Sequence, residues 1–342
     1  MMNVGIIGYG YWGPNLLRNF AETPGVSVHA VSDLDLNKLQ SVQKRYPAIR
    51  VSTDFMSLIA NPDIDAIAIA TPVSTHFELA IAALKAGKHV WVEKPMCETT
   101  LQAEQLNEEA KRRERTLLVD HTFIYTGAVR KMKEIVASGE LGKVLYYDSI
   151  RVNLGLFQRD VNVISDLAVH DFSILEYLTG EHPVAVSASG MNHFPGTPEN
   201  LAYITLFYAS GMIAHANVNW LAPVKIRQIL LGGDKKMIVY NDLEASEKLK
   251  IYDRGVNFTD DPQKIYQLRV GYRSGDMWSP QLNMTEALRV ACEHFASCAQ
   301  SGEAPVTDGL LGLRVVEIIE AATSSMRARG ETIHLRKRGT SA

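Results

Sequence analysis

Six residues near the start of the chain, Gly8-Tyr9-Gly10-Tyr11-Trp12-Gly13, stand between a short apolar run, Val4–Ile7, and a helical pattern, Tyr11–Glu22. Each glycine answers a separate steric demand. Gly8 permits a tight turn out of a strand, Gly10 lets backbone approach a bulky anion, and Gly13 lets the helix pack closely on the strand. The start of that helix presents free N–H groups and the positive end of its dipole to phosphate. A glycine triplet alone is weak, but this one also has an acid at the required distance. Asp33 closes Ala30-Val31-Ser32-Asp33, 20 residues beyond Gly13, where a carboxylate accepts hydrogen bonds from an adenosine ribose. Its charge repels a 2′-phosphate, so the pattern predicts NAD in preference to NADP. Tyr11 and Trp12, inside the loop, are expected to contact the same cofactor.

The pattern around this loop is repetitive. Apolar runs at Val26–Ser32, Ala66–Ala70, His89–Val92 and Thr116–Val119 alternate with helical patterns at Asn37–Tyr46, Thr75–Ala86 and Leu101–Glu114. Runs unbroken by polar alternation suit strands buried on both faces, and strand–helix alternation predicts a doubly wound parallel sheet over residues 1–120. From 121 to 342 the rhythm changes to an α+β pattern. A helix at Ala128–Ala137 stops at Ser138-Gly139-Glu140-Leu141-Gly142. Strand candidates follow at Lys143–Val152, Val184–Ser189, Ala202–Tyr208, Met212–Trp220, Ile226–Leu231 and Lys236–Tyr240, then helices at Thr285–Gln300 and Gly309–Arg329. This predicts an open mixed or antiparallel sheet flanked by helices. In Met212–Trp220 one face is Met212, Ala214, Ala216, Val218 and Trp220, and the other is Ile213, His215, Asn217 and Asn219. The first face packs; the second meets water, substrate or a partner subunit.

Composition narrows the function classes. The 342 residues carry a net charge of −3, with no basic excess to neutralise phosphates, so nucleic acid is not the expected partner. Cys97, Cys292 and Cys298 are an odd, scattered set without metal-ligand spacing, which points to a reducing cytoplasm and no metal site. Leu201–Val224 lacks Asp, Glu, Lys and Arg. His215, Asn217, Asn219 and the break at Ala209-Ser210-Gly211 make it two strands and a turn instead of a membrane span. The start of the chain has no signal-peptide pattern.

Three further groups carry candidate chemistry. Thr71-Pro72 follows a strand, at the end where a doubly wound sheet binds ligands, with His76 on the next helix. Glu93-Lys94-Pro95 ends the fifth strand at the same crevice, and a cation there needs a partner or a task. Asp166 and His170 open a helix expected over Ser165–Leu178, four residues apart on one face with Ser173 and Tyr177. A histidine oriented by a carboxylate suits proton abstraction from an alcohol. Spacing alone equally allows Ser165 or Asp166 to cap the helix and His170 to be a core residue.

Taken together these residues resemble the glucose–fructose oxidoreductase and inositol dehydrogenase family of two-domain sugar dehydrogenases. The likeness runs through Gly8–Gly13, Ala70-Thr71-Pro72 with His76, and Ala86-Gly87-Lys88-His89-Val90 into Glu93-Lys94-Pro95. It continues in Ser138-Gly139-Glu140-Leu141-Gly142, Asp166-Leu167-Ala168-Val169-His170, Tyr272-Arg273-Ser274-Gly275-Asp276 and Asp308-Gly309 through Val315-Val316. The resemblance implies that Lys94 hydrogen-bonds the reacting hydroxyl and the nicotinamide ribose. It implies that His170 is the acid/base, that Asp166 is its companion, and that Thr71, Pro72, His76 and Glu93 belong to the cofactor site. It also implies a cis Lys94-Pro95 bond and a homo-oligomer, dimer or tetramer, built through the open sheet face. Arg151-Val152-Asn153-Leu154-Gly155 resembles a branch associated with nucleotide-sugar and surface-polysaccharide pathways. Arg151, Asn153 and Arg159 are accordingly expected at a nucleotide-linked or phosphorylated sugar, where Arg151 and Arg159 bind a phosphate or uronate group or, in the alternative reading, form surface ion pairs. The chain departs from the family at Ser165 and Val169, where an aromatic and a proline are expected. Val161-Asn162-Val163-Ile164 also replaces a glycine-rich approach to the aspartate, and all these changes fall on the substrate side. Two rival readings share the scaffold: an NAD-dependent glycosidase working by transient oxidation, and a non-catalytic dinucleotide sensor.

Overall fold

Continuous burial on both faces organises the first part of the chain. Strands β1 (Met2–Ile7), β2 (Val26–Ser32), β3 (Arg50–Ser52), β4 (Ala66–Ile69), β5 (His89–Glu93) and β6 (Leu117–Asp120) pair in parallel in the order β3-β2-β1-β4-β5-β6. All four residues of β4 and of β6 are buried, as helices on both faces of a parallel sheet require. The helices are α1 (Gly13–Glu22), α2 (Leu36–Arg45), α3 (Phe55–Ala60), α4 (His76–Lys85) and α5 (Thr100–Arg113). Strand order reverses at β1, whose neighbours are β2 and β4, so a ligand crevice opens beyond the carboxyl ends of β1 and β4. This computed structural model describes residues 1–155, 160–253, 255–258, 270–273 and 275–336. Arg159 and Ser274 lie outside them.

The second sheet is mixed. Its strands are β7 (Val144–Val152), β8 (Ala185–Met191), β9 (Leu201–Phe207), β10 (Ile213–Asn219), β11 (Ile226–Gly233), β12 (Met237–Asn241) and β13 (Leu249–Tyr252). A short ribbon of β14 (Gly255–Phe258) and β15 (Val270–Arg273) stands apart, and β16 (Met277–Trp278) and β17 (Ile333–His334) complete the sheet edges. The order is β16-β13-β12-β11-β7-β10-β9-β8-β17, antiparallel except for the parallel pair of β7 and β10. Helices α6 (Gly127–Ala137) and α7 (Val169–Thr179) belong to the same part of the chain. In β10 and its flanks the predicted inner face, Met212, Ala214, Ala216, Val218 and Trp220, is buried. Leu201–Val224 is thus β9, a turn and β10, and among the described residues no helix is long and apolar enough to cross a membrane.

The chain divides into two compact units, Met1–Thr126 with Thr285–Glu320, and Gly127–Met284 with Ala321–Ala342. This differs from a simple cut after residue 120. Helix α8 (Ala287–Ser301) joins the first unit because Phe295 packs edge-on against Trp91 of β5 and Phe20 of α1, with ring centroids 5.7 and 6.1 Å away. Such aromatic contacts add to the gain from burying area. Beside them Arg18 clamps Glu286 with two bonds of 3.0 and 2.6 Å. Helix α9 (Gly309–Arg327) contributes Leu313 and Val316 to the first core.

Candidate active site

The glycine loop divides its labour as the sequence pattern requires. Gly8 has φ +96°, and a Cβ there would lie 2.5 Å from the carbonyl oxygen of Ala70. A Cβ on Gly13 would meet the carbonyl oxygen of Gly8 at 2.5 Å, so helix and strand touch through backbone. At Gly10 a Cβ would meet nothing within 4 Å, which is the space a pyrophosphate needs. No side chain caps α1, so the positive end of its dipole is left to a ligand at the loop. Asp33 ties this loop to β2. Its Oδ2 accepts from Tyr9 N at 2.6 Å and its Oδ1 from Asp35 N at 2.9 Å, with Lys38 Nζ at 3.5 Å. Gly8, Gly10, Asp33, Thr71 and Pro72 line one cavity of about 970 Å³, large enough for the adenosine end of a dinucleotide. Tyr11 is 87% exposed beside this loop, stacked on Trp12.

The carboxyl ends of β4, β5 and β6 carry the remaining polar groups of the first unit. His76 is buried between two loops, with Nδ1 2.9 Å from the Pro95 carbonyl oxygen and Nε2 2.9 Å from that of Thr71. It therefore lies between the loops after β4 and β5. Lys94 follows β5, and the Lys94-Pro95 bond is cis. Glu93 and Asp120 are register partners at the ends of β5 and β6, and each carboxyl acts on the protonation of the other. Asp120 also accepts from Trp12 Nε1 at 3.2 Å and Thr122 Oγ1 at 2.6 Å. Next to it His121 is buried, with no hydrogen-bond partner for either ring nitrogen among the described residues. Burial, with the Lys94 ammonium adding to it, pushes the His121 imidazole down to about 3, so it is neutral at physiological pH. Asp120 and His121 escaped the sequence reading. The signal was the same one that marks Lys94: polar residues ending a buried strand.

The second unit holds the other candidates. Residues Ile164–Ala168 form a π-turn leading into α7, in place of one continuous helix from Ser165. Such turns often sit at functional sites. Asn162 provides the cap, its Oδ1 accepting from Ser165 N at 3.1 Å, so Asp166 is released from capping. Asp166 Oδ2 accepts from Trp220 Nε1 at 3.0 Å. Trp220 was read only as a core residue, although a buried indole N–H needs an acceptor. His170, half-buried, is the second residue of α7. Leu167, Ile174, Leu175 and Leu178 are buried. Ser173 is buried as well, its Oγ donating to the His170 carbonyl at 2.9 Å. Asn153 is half-buried after β7.

Arg151 needs the largest revision. It was expected to meet a phosphate or uronate group, but it is buried and bidentate to Asp171 of α7, at 2.9 and 3.0 Å. The strand alternation of β7 turns Tyr147, Ser149 and Arg151 inward together.

Comparison with known proteins follows the same two-part division. Residues 2–121 match the family model described as an oxidoreductase family with an NAD-binding Rossmann fold. Residues 129–239 match the GFO/IDH/MocA C-terminal domain. A scyllo-inositol 2-dehydrogenase (NAD(+)) of Bacillus subtilis is 24% identical over 96% of this chain and 93% of its own. A myo-inositol 2-dehydrogenase of Thermotoga maritima is 30% identical over 55% of this chain and 58% of its own. Among solved structures, a UDP-N-acetylglucosamine 3-dehydrogenase of Acidithiobacillus ferrooxidans has the same fold, with a TM-score of 0.81, 23% identity and coverage of 96% and 98%.

Proposed function

The chain belongs to the GFO/IDH/MocA family of NAD-binding oxidoreductases, and from that premise we propose that it oxidises a secondary alcohol on a sugar or cyclitol ring. NAD, when bound, supplies the hydride acceptor. The observation that carries the reading is Lys94, placed at the end of β5 in the unit that holds the glycine loop and Asp33. In this proposal the Lys94 ammonium hydrogen-bonds the substrate hydroxyl oxygen and stabilises the charge that develops there. His170 takes the hydroxyl proton, and Asp166, fixed by the Trp220 indole, orients substrate and base. Glu93, Thr71 and Pro72 border the nicotinamide end, and Asn153 is the remaining described candidate for a contact to the sugar.

The finer expectation, a nucleotide-linked or phosphorylated sugar in a polysaccharide pathway, came from the resemblance of Arg151–Gly155 to a nucleotide-sugar branch, with Arg151 and Arg159 as its candidate anion contacts. With Arg151 committed to Asp171, free ring polyols stand beside nucleotide sugars as candidates. The test is a screen of inositols, free aldoses, sugar phosphates and UDP-sugars, with NAD and NADP as acceptors, followed at the NADH band. Net NADH formation on a ring alcohol, with NAD preferred and the preference relaxed in Asp33→Ala, is the expected result. NADP preferred by the unaltered protein would overturn the role of Asp33. Glycoside cleavage without net NADH would favour the glycosidase, and no turnover on any class would favour the sensor.

We also propose that the open face of the second sheet joins copies of the chain. Ile213 and Phe207 are directly paired on that face, at 46% and 37% exposure, and Tyr203 and Ile226 add further exposed apolar surface. Exposed apolar area of this kind marks association surfaces. Light scattering should give the mass of a dimer or tetramer, reduced in Phe207→Glu/Ile213→Glu; a monomer mass for the unaltered protein would refute the proposal.

A further inference from the structure

We propose that Glu93 and Asp120 act as a proton-sharing carboxyl pair that positions Lys94, an inference that rests on the oxidoreductase reading and deepens it. The two residues occupy matched positions at the ends of adjacent parallel strands, so their side chains leave the sheet on the same side. Asp120 is buried, and Trp12 Nε1 and Thr122 Oγ1 donate to its two oxygens. Bonds of that kind favour the ionised form. Glu93 differs. Its Oε1 is buried and has no hydrogen-bond partner among the described residues; the Asp120 carboxyl neighbours the group on one side, and the Lys94 backbone N–H and ammonium act on it as well.

Two carboxylates in contact cannot both stay ionised, and one proton between them converts repulsion into a charge-assisted O–H···O bond. Asp120, already supplied with donors, keeps the charge; Glu93 holds the proton. Burial raises both carboxyls: Glu93, with the Asp120 charge adding to it, goes well above the usual range, whereas the bonds from Thr122 and Trp12 work against the rise at Asp120. Among the described residues, three further titratable groups near the pair are held uncharged at neutral pH. The His121 imidazole is pushed down to about 3, the Tyr125 phenol is pushed up by burial, and so is the Cys292 thiol on α8. The cluster thus contains one anion, Asp120, to balance one cation, Lys94. Removing the shared proton places a second buried anion beside Lys94 and draws its ammonium away from a substrate oxygen. The pair is a positioning device, and its proton is not consumed in turnover.

Infrared spectroscopy of the full chain, without added ligand, reads the proton directly. A protonated-carboxyl C=O stretch is expected at neutral pH and should vanish in Glu93→Gln. With the oxidised sugar found in the screen, Asp120→Asn should lower kcat by about tenfold or more while changing the KM for NAD by less than about twofold. The alkaline fall of kcat in the unaltered protein should be flattened in Glu93→Gln, which has no proton to lose there. A spectrum identical in Glu93→Gln and the unaltered protein would overturn the pair. So would an Asp120→Asn enzyme with unchanged kcat and pH profile. If Asp120→Asn does not fold, the Glu93→Gln band and pH profile decide. A Glu93-dependent band in a protein that oxidises no ring alcohol leaves the shared proton standing and removes the oxidoreductase reading with the role given to Lys94.

Discussion

Replacing His170 with alanine is expected to reduce kcat by about 10²–10⁴-fold, the contribution of a well-placed acid–base group. NAD affinity should stay within about twofold, because the substitution leaves the glycine loop and Asp33 intact. Lys94→Ala should cost about 10²–10³-fold, as expected when a donor to a developing oxyanion is lost. Lys94→Arg should not restore activity. A planar guanidinium cannot place a compact charge where an ammonium sits. Stopped-flow turnover and NADH fluorescence titration separate the two effects. If either alanine variant turns over at a rate close to the unaltered protein, that residue's assigned role is removed.

How much of this was legible before the structure depends on which physics each feature uses. The doubly wound sheet was legible because strands buried on both faces need apolar runs, and β4 and the middles of β1, β5 and β6 have them, while β2 alternates only over its first residues. The short strand β3, Arg50-Val51-Ser52, carries no such run and was missed. The glycine loop was legible because Gly8 and Gly13 each sit where a Cβ would strike backbone. Lys94 was legible from its place at a strand end. The partners of these groups were not. A buried indole must find an acceptor, but nothing in Trp220 names Asp166. A π-turn at Ile164–Ala168 leaves no periodicity in five residues. The allegiance of α8 depends on Phe295 meeting Trp91, a contact some 200 residues apart in the chain.

Arg151 shows the same gap most sharply, and there the consequence is large. Its guanidinium and the Asp171 carboxylate are 3% and 2% exposed, so neither charge is solvated well enough to stand alone. Removing only one partner leaves a buried, uncompensated charge, a change that costs about 3–5 kcal/mol. Arg151→Ala should therefore lower the unfolding midpoint by roughly 10 °C, given about 2–4 °C per kcal/mol for a unit of this size. Arg151→Lys should recover only part of that loss, since an ammonium cannot make both parallel bonds. Replacing the pair together, Arg151→Met with Asp171→Leu, should cost much less than either single change, because no charge remains to be stranded. A substrate-binding arginine makes the opposite pattern. Arg151→Ala would then raise the substrate KM at nearly constant stability, and the double replacement would not recover it. Thermal unfolding of the three variants, read beside their KM values, distinguishes an ion pair that holds β7 to α7 from an arm that holds a phosphate.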